Sequence, residues 1–262
     1  MQLNWKKIPK YCISLERSKE RRVLSLREFM RVGLRVVFFD AVDRETLVLP
    51  ELSPKMGSDK AHEYNAVGAY ACMLSHLWLM KQAIAEDREA IAVFEDDAIL
   101  CEDFTDRIGY IERTGVDFDM LLLGGHFDAN PPGTLVGAAQ GTNHNHIFQV
   151  IAAGGTYGYV ITRKVMEFCV RNLHYGFGID QFFSDVVYKR FNCKAFVPFL
   201  VGCRPCVSEI TGSFWKYDAI DLYYQHAPVD LDEEYSNPTE TQAKRDLQEL
   251  DRNRALWLKE NP

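Results

Sequence analysis

Apolar residues in the first forty positions follow a pattern that changes from strand to helix and back to strand. Residues 8–15 (IPKYCISL) and residues 35–39 (RVVFF) are short apolar runs that predict two strands. Between them an apolar residue recurs every three or four positions through residues 23–30, with Ser18 as a favourable helix cap and Gly33 as a helix stop. A strand, a helix and a strand in this order favour a parallel sheet.

The middle of the chain continues the alternation of helices and apolar strands. Residues 66–84 carry one apolar stripe at helical spacing and predict a long helix. Residues 90–94 (AIAVF) are wholly apolar, which is typical of a central strand that is covered on both faces. The other periodic segments predict strands at residues 118–123, 156–161 and 194–198, and helices at residues 162–172, capped by Thr162, and 180–190.

Two segments lack periodicity and are predicted to be loops. Residues 43–65 are rich in Pro, Ser, Asp and Gly, and residues 126–146 form a stretch long enough to indicate a functional loop. Near the end of the chain, residues 228–262 combine an acidic stretch with a helical pattern. We therefore predict one α/β domain over residues 1–227, followed by a tail whose helix packs on that domain or on a partner.

Composition narrows the class of protein. The 262 residues are 47% hydrophobic and 12% aromatic, as in a folded domain, and the net charge of −7 disfavours nucleic acid as a partner. Neither a signal peptide nor a run of roughly 20 apolar residues is present, so we expect a cytoplasmic protein without a transmembrane segment, and peripheral membrane association stays open. The seven cysteines are expected to be free thiols, and the Cys203/Cys206 pair lacks a second pair that would complete a zinc site.

Three adjacent carboxylates, Glu95, Asp96 and Asp97, directly follow the apolar run at residues 90–94. Open α/β sheets bind their ligands at the carboxyl ends of strands. Because neighbouring carboxylates repel one another, a cation or good solvation must compensate them. Their oxygen atoms suit Mg²⁺ or Mn²⁺. The alternative interpretation is a solvated acidic turn.

Six segments of the chain form an ordered set, namely residues 12–22, 39–43, 68–76, 93–98, 155–162 and 178–180. Taken in order, they resemble glycosyltransferase family 25, which contains bacterial lipopolysaccharide glycosyltransferases and the collagen galactosyltransferase domain. The resemblance covers roughly residues 8–215. It departs from the family pattern at Ala71, where the family usually has Gly, and at Arg44, which follows Asp43 in place of Gly.

The resemblance implies a GT-A-like (Rossmann-like) α/β fold, with a mostly parallel sheet flanked by helices. It also implies a nucleotide-sugar donor and Mn²⁺ (or Mg²⁺) as cofactor. Asp97 would be the direct metal ligand, and Glu95 would lie near the metal or the donor ribose. Such a metal neutralises charge that develops on the departing diphosphate.

Further residues in the similar segments are predicted to bind the donor. The arginines after the first strand could contact its diphosphate or form a solvated first helical turn. The segment around residues 13–15 would hold the base. The predicted donor-binding residues are Ser14, Leu15, Arg17, Arg21, Asp40, Ala41, Asp43, Ser75, Glu95, Asp96 and Gly155.

Asp180 is the candidate catalytic residue. It opens a predicted helix, where it could take the proton from an acceptor hydroxyl, orient the acceptor, or serve as an N-cap. Asp185, in the same helix, is a reserve candidate. His76 lies on an apolar stripe, where a buried, hydrogen-bonded core residue is a better interpretation than a ligand, and Ser75 and His76 could support the site from behind.

The leading functional hypothesis is the transfer of galactose or glucose from a UDP-hexose to a hydroxyl of a glycan or glycoconjugate, with inversion as the resemblance suggests. A metal-dependent nucleotidyl- or phosphotransferase is the second hypothesis, although the chain has neither a P-loop nor a kinase catalytic loop. The third is a glycan-binding module without catalysis, which the intact carboxylate cluster disfavours.

Overall fold

The computed structural model describes residues 1–47, 60–126, 133–138, 146–173 and 178–204. The predicted C-terminal segment, residues 228–262, lies outside the described residues, as does the last part of the predicted domain. In the described part, no helix is both long enough and apolar enough to cross a membrane.

Strands and helices alternate along most of the described chain. The elements are β1 (Lys10–Ser14), α1 (Lys19–Arg31), β2 (Val37–Asp40), α2 (Lys60–Ala85), β3 (Ala90–Glu95), β4 (Ala98–Leu100), α3 (Phe104–Thr114), β5 (Met120–His126), β6 (Gly133–Ala138), β7 (His146–Val150), β8 (Gly154–Thr162), α4 (Arg163–Asn172), α5 (Ile179–Phe182), a π-helical turn (Phe183–Val187), α6 (Tyr188–Arg190), β9 (Cys193–Val197) and β10 (Val201–Cys203).

The main sheet has eight strands in the order β2-β1-β3-β8-β5-β9-β7-β6. Six of them run in one direction, whereas β8 and β7 run against their neighbours. A separate antiparallel pair joins β4 to β10. The described residues thus confirm an α/β fold with a mostly parallel sheet, consistent with the GT-A-like architecture that the resemblance implies.

The strand β3 lies between β1 and β8 and has a hydrophobic core on each face. Its alternate residues point to opposite sides, so Ile91 and Val93 pack in one core and Ala92 and Phe94 in the other. The first core contains side chains of α2 and α4, and the second contains side chains of α1 and α3. Double coverage explains why the strand is wholly apolar.

The two predicted loops are partly wrong. The helix α2 begins at Lys60, six residues before its predicted start, so the last part of the loop at residues 43–65 is helical. The segment 126–146 contains β6 and the first residue of β7. These strands pair with each other, and β7 also pairs with β9. Because β7 is placed by its pairing with β9, whose residues lie about 50 positions further along the chain, the local pattern did not reveal these strands.

The predicted helix boundaries are right at Ser18 and Thr162, but the expected side-chain caps are absent. Both residues precede the first helical residue, and neither makes a capping hydrogen bond. The Thr162 hydroxyl instead donates to the carbonyl oxygen of Asp119 at 2.8 Å. Thr162 therefore ties the end of β8 to the segment that precedes β5.

Candidate active site

A pocket of about 240 Å³ opens at the carboxyl ends of β1 and β3. Ten of the thirteen predicted site residues line it. Five of these come from the first part of the chain, because β1, α1, the segment after β2, and α2 converge there. They are Ser14, Leu15, Arg21, Ala41 and Ser75.

The other five come from the turn after β3 and from two later elements. Glu95, Asp96 and Asp97 line one wall, Gly155 lies at the start of β8, and Asp180 lies in α5. The antiparallel β8 runs beside β3, which brings its first residues to the carboxyl end of β3. The fold therefore brings together residues that are up to 166 positions apart in the chain, from Ser14 to Asp180.

Three predicted donor-binding residues do not line the pocket. Arg17 pairs through its Nε atom with Asp43 Oδ2 at 2.7 Å and lies 3.6 Å from a carboxylate oxygen of Glu45. Asp40 pairs with Arg22 at 2.5 Å. These ion pairs lie beside the pocket, and only Arg21 among the three arginines after β1 lines it.

Asp96 is the most firmly held of the three carboxylates. Its Oδ2 accepts a hydrogen bond from the Ser14 hydroxyl at 2.7 Å, and its Oδ1 accepts from Arg21 Nε at 2.7 Å and also from Arg21 Nη2. The hydroxyl of Ser25 donates to the backbone carbonyl oxygen of Asp96. Burial raises the pKa of Asp96 despite the adjacent guanidinium. Asp96 thus anchors α1 to the turn that follows β3.

Asp97 and Glu95 face the pocket from either side of Asp96. Asp97 Oδ2 accepts a hydrogen bond from Arg21 Nη2 at 2.9 Å, and the Asp97 carbonyl accepts one from the backbone of Arg204 at 2.6 Å. The Glu95 carboxylate accepts a hydrogen bond from the Thr156 hydroxyl. Burial, followed by the negative charge of Asp97, raises the pKa of Glu95 to about 8.

His76 lies behind Glu95, in the wall of the pocket that α2 supplies. Its Nδ1 is 2.7 Å from the Tyr159 hydroxyl, and its Nε2 is 3.8 Å from Glu95 Oε1. Burial lowers the pKa of His76 to about 3, so the ring is neutral at physiological pH. The prediction of a buried, hydrogen-bonded core histidine is confirmed. Next to it, the Ser75 hydroxyl accepts a hydrogen bond from the backbone N–H of Val42 at 2.8 Å, which holds the segment after β2.

Asp180 is not an N-cap, because Gly178 occupies that position and Asp180 lies in the first turn of α5. Its Oδ2 accepts a hydrogen bond from the backbone N–H of Gly155 at 3.3 Å, and its Oδ1 accepts one from Gln181 at 2.8 Å. The reserve candidate, Asp185, is exposed and lies 3.8 Å from Lys189. Only Asp180 of the two aspartates lines the pocket.

Some residues of the pocket were not predicted from the sequence. Arg44, Thr156, Tyr157 and Cys203 all contribute to its lining. In the sequence, Arg44 stands out only as a departure from the family pattern, and Thr156 and Tyr157 belong only to a predicted strand. Cys203 reaches the pocket through the pairing of β10 with β4, which no local signal indicates. It is a free thiol.

The carboxylate oxygens of the pocket fit a hard divalent cation whose other ligands come largely from a substrate. Glu95 and Asp97 present carboxylate oxygens in the pocket, and Mg²⁺ or Mn²⁺ commonly uses one or two protein carboxylates together with phosphates and water. Among the residues that the structure describes, no three His, Cys, Asp or Glu side chains are grouped to hold a metal by themselves. The residues therefore fit a shared site better than a closed structural one.

The six segments that resemble a known family lie within a region that matches known proteins. Residues 7–182 match the family model described as glycosyltransferase family 25 (LPS biosynthesis protein). The lacto-N-neotetraose biosynthesis glycosyltransferase LgtB of Neisseria meningitidis serogroup B is 32% identical over 171 residues, which are 60% of this chain and 59% of that protein. The lipooligosaccharide biosynthesis protein lic2B of Haemophilus influenzae is 27% identical over 161 residues, 60% of each chain. The chain thus spans about 60% of the length of these relatives.

Two solved structures align with this chain at low identity. A197 from STIV has a TM-score of 0.40 and 10% identity, with 77% of this chain and 87% of that chain covered. A glycosyltransferase involved in the glycosylation of the major capsid of PBCV-1 has a TM-score of 0.36 and 10% identity, with 70% and 76% covered. These scores are too low to support a functional comparison.

Proposed function

The chain belongs to glycosyltransferase family 25, and from this premise we propose that it transfers a hexose, galactose or glucose, from a UDP-sugar to a hydroxyl of a glycan or glycoconjugate. The observation that carries the proposal is that one and the same pocket joins the carboxylates after β3 to Arg21 and Asp180. Family membership rests on the model match over residues 7–182, which is more than half of the chain.

The donor half of the pocket is built by β1, the segment after β2, and α1. The backbone at Ser14 and Leu15 and the small side chain of Ala41 would accommodate the nucleoside, and the backbone N–H of Ala41 donates to the Ser14 carbonyl at 2.9 Å. Arg21 would pair with the diphosphate, because a guanidinium binds phosphate oxygens in a bidentate manner.

Asp97 and Glu95 would hold the divalent cation that we propose as cofactor. When bound, such a cation neutralises the charge that develops on the departing diphosphate, which is worth several kcal/mol of barrier. The Thr156 hydroxyl orients Glu95 toward the pocket. The neutral His76 ring lies behind it, with Nε2 3.8 Å from Glu95 Oε1. Because Asp96 is fully engaged by Ser14 and Arg21, it would support the other two and not bind the cation.

Asp180 would act on the acceptor side as general base. In an inverting transfer the acceptor oxygen attacks the anomeric carbon, the bond from that carbon to the diphosphate oxygen breaks, and a base removes the hydroxyl proton. The backbone N–H of Gly155 fixes one carboxylate oxygen of Asp180 at the start of β8. An acceptor of the lipopolysaccharide or lipooligosaccharide type is the natural candidate, since the names of the relatives refer to such glycans.

A thermal-shift experiment with Mn²⁺, with UDP and with both tests the proposal. A ligand that binds only the native state raises the melting temperature, and ligand at a hundred times its dissociation constant adds about 2.7 kcal/mol. We expect a larger shift with both ligands than with either, and no joint shift for Asp97→Asn. If neither UDP nor another nucleoside diphosphate with Mn²⁺ shifts the transition, the proposal is wrong and a glycan-binding module becomes the better hypothesis. Release of inorganic pyrophosphate from a sugar phosphate and UTP would instead indicate the nucleotidyltransferase.

A further inference from the structure

The guanidinium of Arg21 is shared between two of the three carboxylates. Its Nε and Nη2 atoms both donate to Asp96 Oδ1, with the Nε bond at 2.7 Å, and Nη2 also donates to Asp97 Oδ2 at 2.9 Å. Both carboxylates are largely withdrawn from solvent, with 9% of the Asp96 side chain and 15% of the Asp97 side chain exposed. At this depth an ion pair is screened much less than on the surface.

The two carboxylates hold Arg21 unequally. Asp96 is fixed by the Ser14 hydroxyl at 2.7 Å and accepts from two nitrogen atoms of Arg21. The bond to Asp97 uses Nη2, the nitrogen at the far end of the side chain. A small rotation about the end of the arginine side chain would therefore part Nη2 from Asp97 while Nε stays bonded to Asp96.

This arrangement makes the cation and the diphosphate dependent on each other. A cation that approaches Asp97 alone meets the positive charge of Arg21 and competes with it for the carboxylate. A diphosphate offers Arg21 replacement oxygens and adds negative charge beside Asp97. Each ligand thus removes an obstacle to the other.

We infer that Arg21 couples the two ligands: in the free protein it is the counter-ion of Asp97, and a nucleoside diphosphate releases Asp97 for the divalent cation by taking over the Nη2 end of the guanidinium. The inference rests on the proposed function, since it assumes that both ligands bind in this pocket. Arg17 and Arg22 do not line the pocket, so this coupling is assigned to Arg21 and not to them.

Isothermal titration of the full chain tests the coupling. Mn²⁺ is titrated with and without saturating UDP, and UDP is titrated with and without Mn²⁺, with EDTA in the metal-free runs. We expect UDP to tighten Mn²⁺ binding roughly 5- to 150-fold, and by linkage Mn²⁺ must tighten UDP binding by the same factor. Uridine, which lacks the diphosphate, should leave Mn²⁺ binding unchanged.

Arg21→Gln should move the two separate affinities in opposite directions. Mn²⁺ alone should bind about fivefold tighter or more, UDP in EDTA should bind more weakly, and the coupling factor should approach one. Damage to the fold would instead weaken both ligands. Arg21→Lys keeps a charge for Asp96 and should show a reduced coupling factor, so it carries the test if the Gln variant does not fold. Lys19→Gln removes one charge from an exposed position of the same helix and should behave as wild type.

The outcomes separate the two claims. If wild type binds neither Mn²⁺ nor UDP, the proposed function fails and the inference fails with it. If wild type couples the two ligands but both Arg21 variants keep the wild-type factor, the inference about Arg21 is overturned while the proposed function stands. Coupling of equal size with uridine would also overturn it, because the diphosphate would then have no part.

Discussion

The hydroxyl of Tyr159 lies 2.7 Å from Nδ1 of His76, and both side chains are buried behind the Glu95 carboxylate. The pair joins β8 to α2 across the hydrophobic core that contains Tyr159. A polar pair at this depth stabilises the fold only as long as both members keep their partners, because an unsatisfied buried group bears the full cost of its lost solvation.

Tyr159→Phe tests how much this pair contributes to stability. We expect the free energy of unfolding to fall by about 1–3 kcal/mol, since His76 would lose its partner while staying buried. Urea denaturation measures the change. Tyr11→Phe is a control, because its hydroxyl donates to Glu86 over a longer distance of 3.4 Å, and it should cost less than about 0.5 kcal/mol. Equal losses for both variants would show that the pair with His76 has no special weight.

Asp180→Asn and Asp185→Asn distinguish a general base from a general effect of charge on the helix. We expect Asp180→Asn to keep UDP and Mn²⁺ binding and to lower the turnover number by about 10²–10⁴. Asp185→Asn removes the same charge from an exposed position that pairs with Lys189, and it should leave turnover nearly unchanged. Steady-state kinetics with a donor and an acceptor provide the measurement. Wild-type turnover in Asp180→Asn would remove Asp180 from the mechanism.

Gly124 lies so close to the backbone of β10 that no side chain fits there. A Cβ atom at this position would lie 2.2 Å from the carbonyl oxygen of Val201. Gly124→Ala should therefore destabilise the protein by about 3 kcal/mol, the upper part of the range for overpacking. Gly109→Ala is the control, because it lies in α3 with its nearest neighbour at 3.4 Å, and it should be neutral or stabilise by up to about 1 kcal/mol. Thermal melts of both variants measure the two changes in stability.

Asp119 should make stability depend on pH in the acidic range. Burial opposes its ionisation, but hydrogen bonds from the Asn192 backbone at 3.1 Å and from Lys164 at 3.0 Å outweigh burial and hold its pKa below the ordinary value of 3.8. Since the folded pKa is depressed, the stabilisation is present above pH 3.8 and is lost as the pH falls through the lower folded value.

The variant Asp119→Asn isolates this contribution. At pH 7 it should be less stable than wild type by about 1 kcal/mol, a modest value because the Lys164 partner is exposed. The difference should shrink when unfolding is measured at progressively lower pH below 4. A difference that stays constant down to pH 2 would mean that the carboxylate charge of Asp119 has no role.

The sequence predicted the elements whose signal is local. The strand at residues 90–94 was recognisable because both of its faces are buried, which leaves no polar position. The short strands β4 and β10 were missed, since three residues are too few for periodicity and their pairing joins parts of the chain about 100 residues apart. The helix α3 was also overlooked, although Phe104, Ile108 and Ile111 are buried at helical spacing and Gly115 ends it with a φ of +63°.

The membership of the site was predictable mainly where family-like segments run through it. The choice among Arg17, Arg21 and Arg22 was not, because it depends on how α1 docks against the turn after β3. That docking is set by the Ser25 and Asp96 contacts, which lie 71 positions apart. Arg21, the third residue of α1, reaches the carboxylates. Arg17 pairs with Asp43 instead, and Arg22 pairs with Asp40.

The part of the chain that must stay together for folding reaches beyond the match to the family. The match ends at residue 182, but β9 follows it and lies between β5 and β7 in the sheet. Beyond β9, the backbone N–H of Arg204 donates a hydrogen bond to the carbonyl oxygen of Asp97. A fragment cut at residue 182 would leave two strand edges open inside its own sheet, which invites self-association. The smallest expressible unit should therefore retain residue 204.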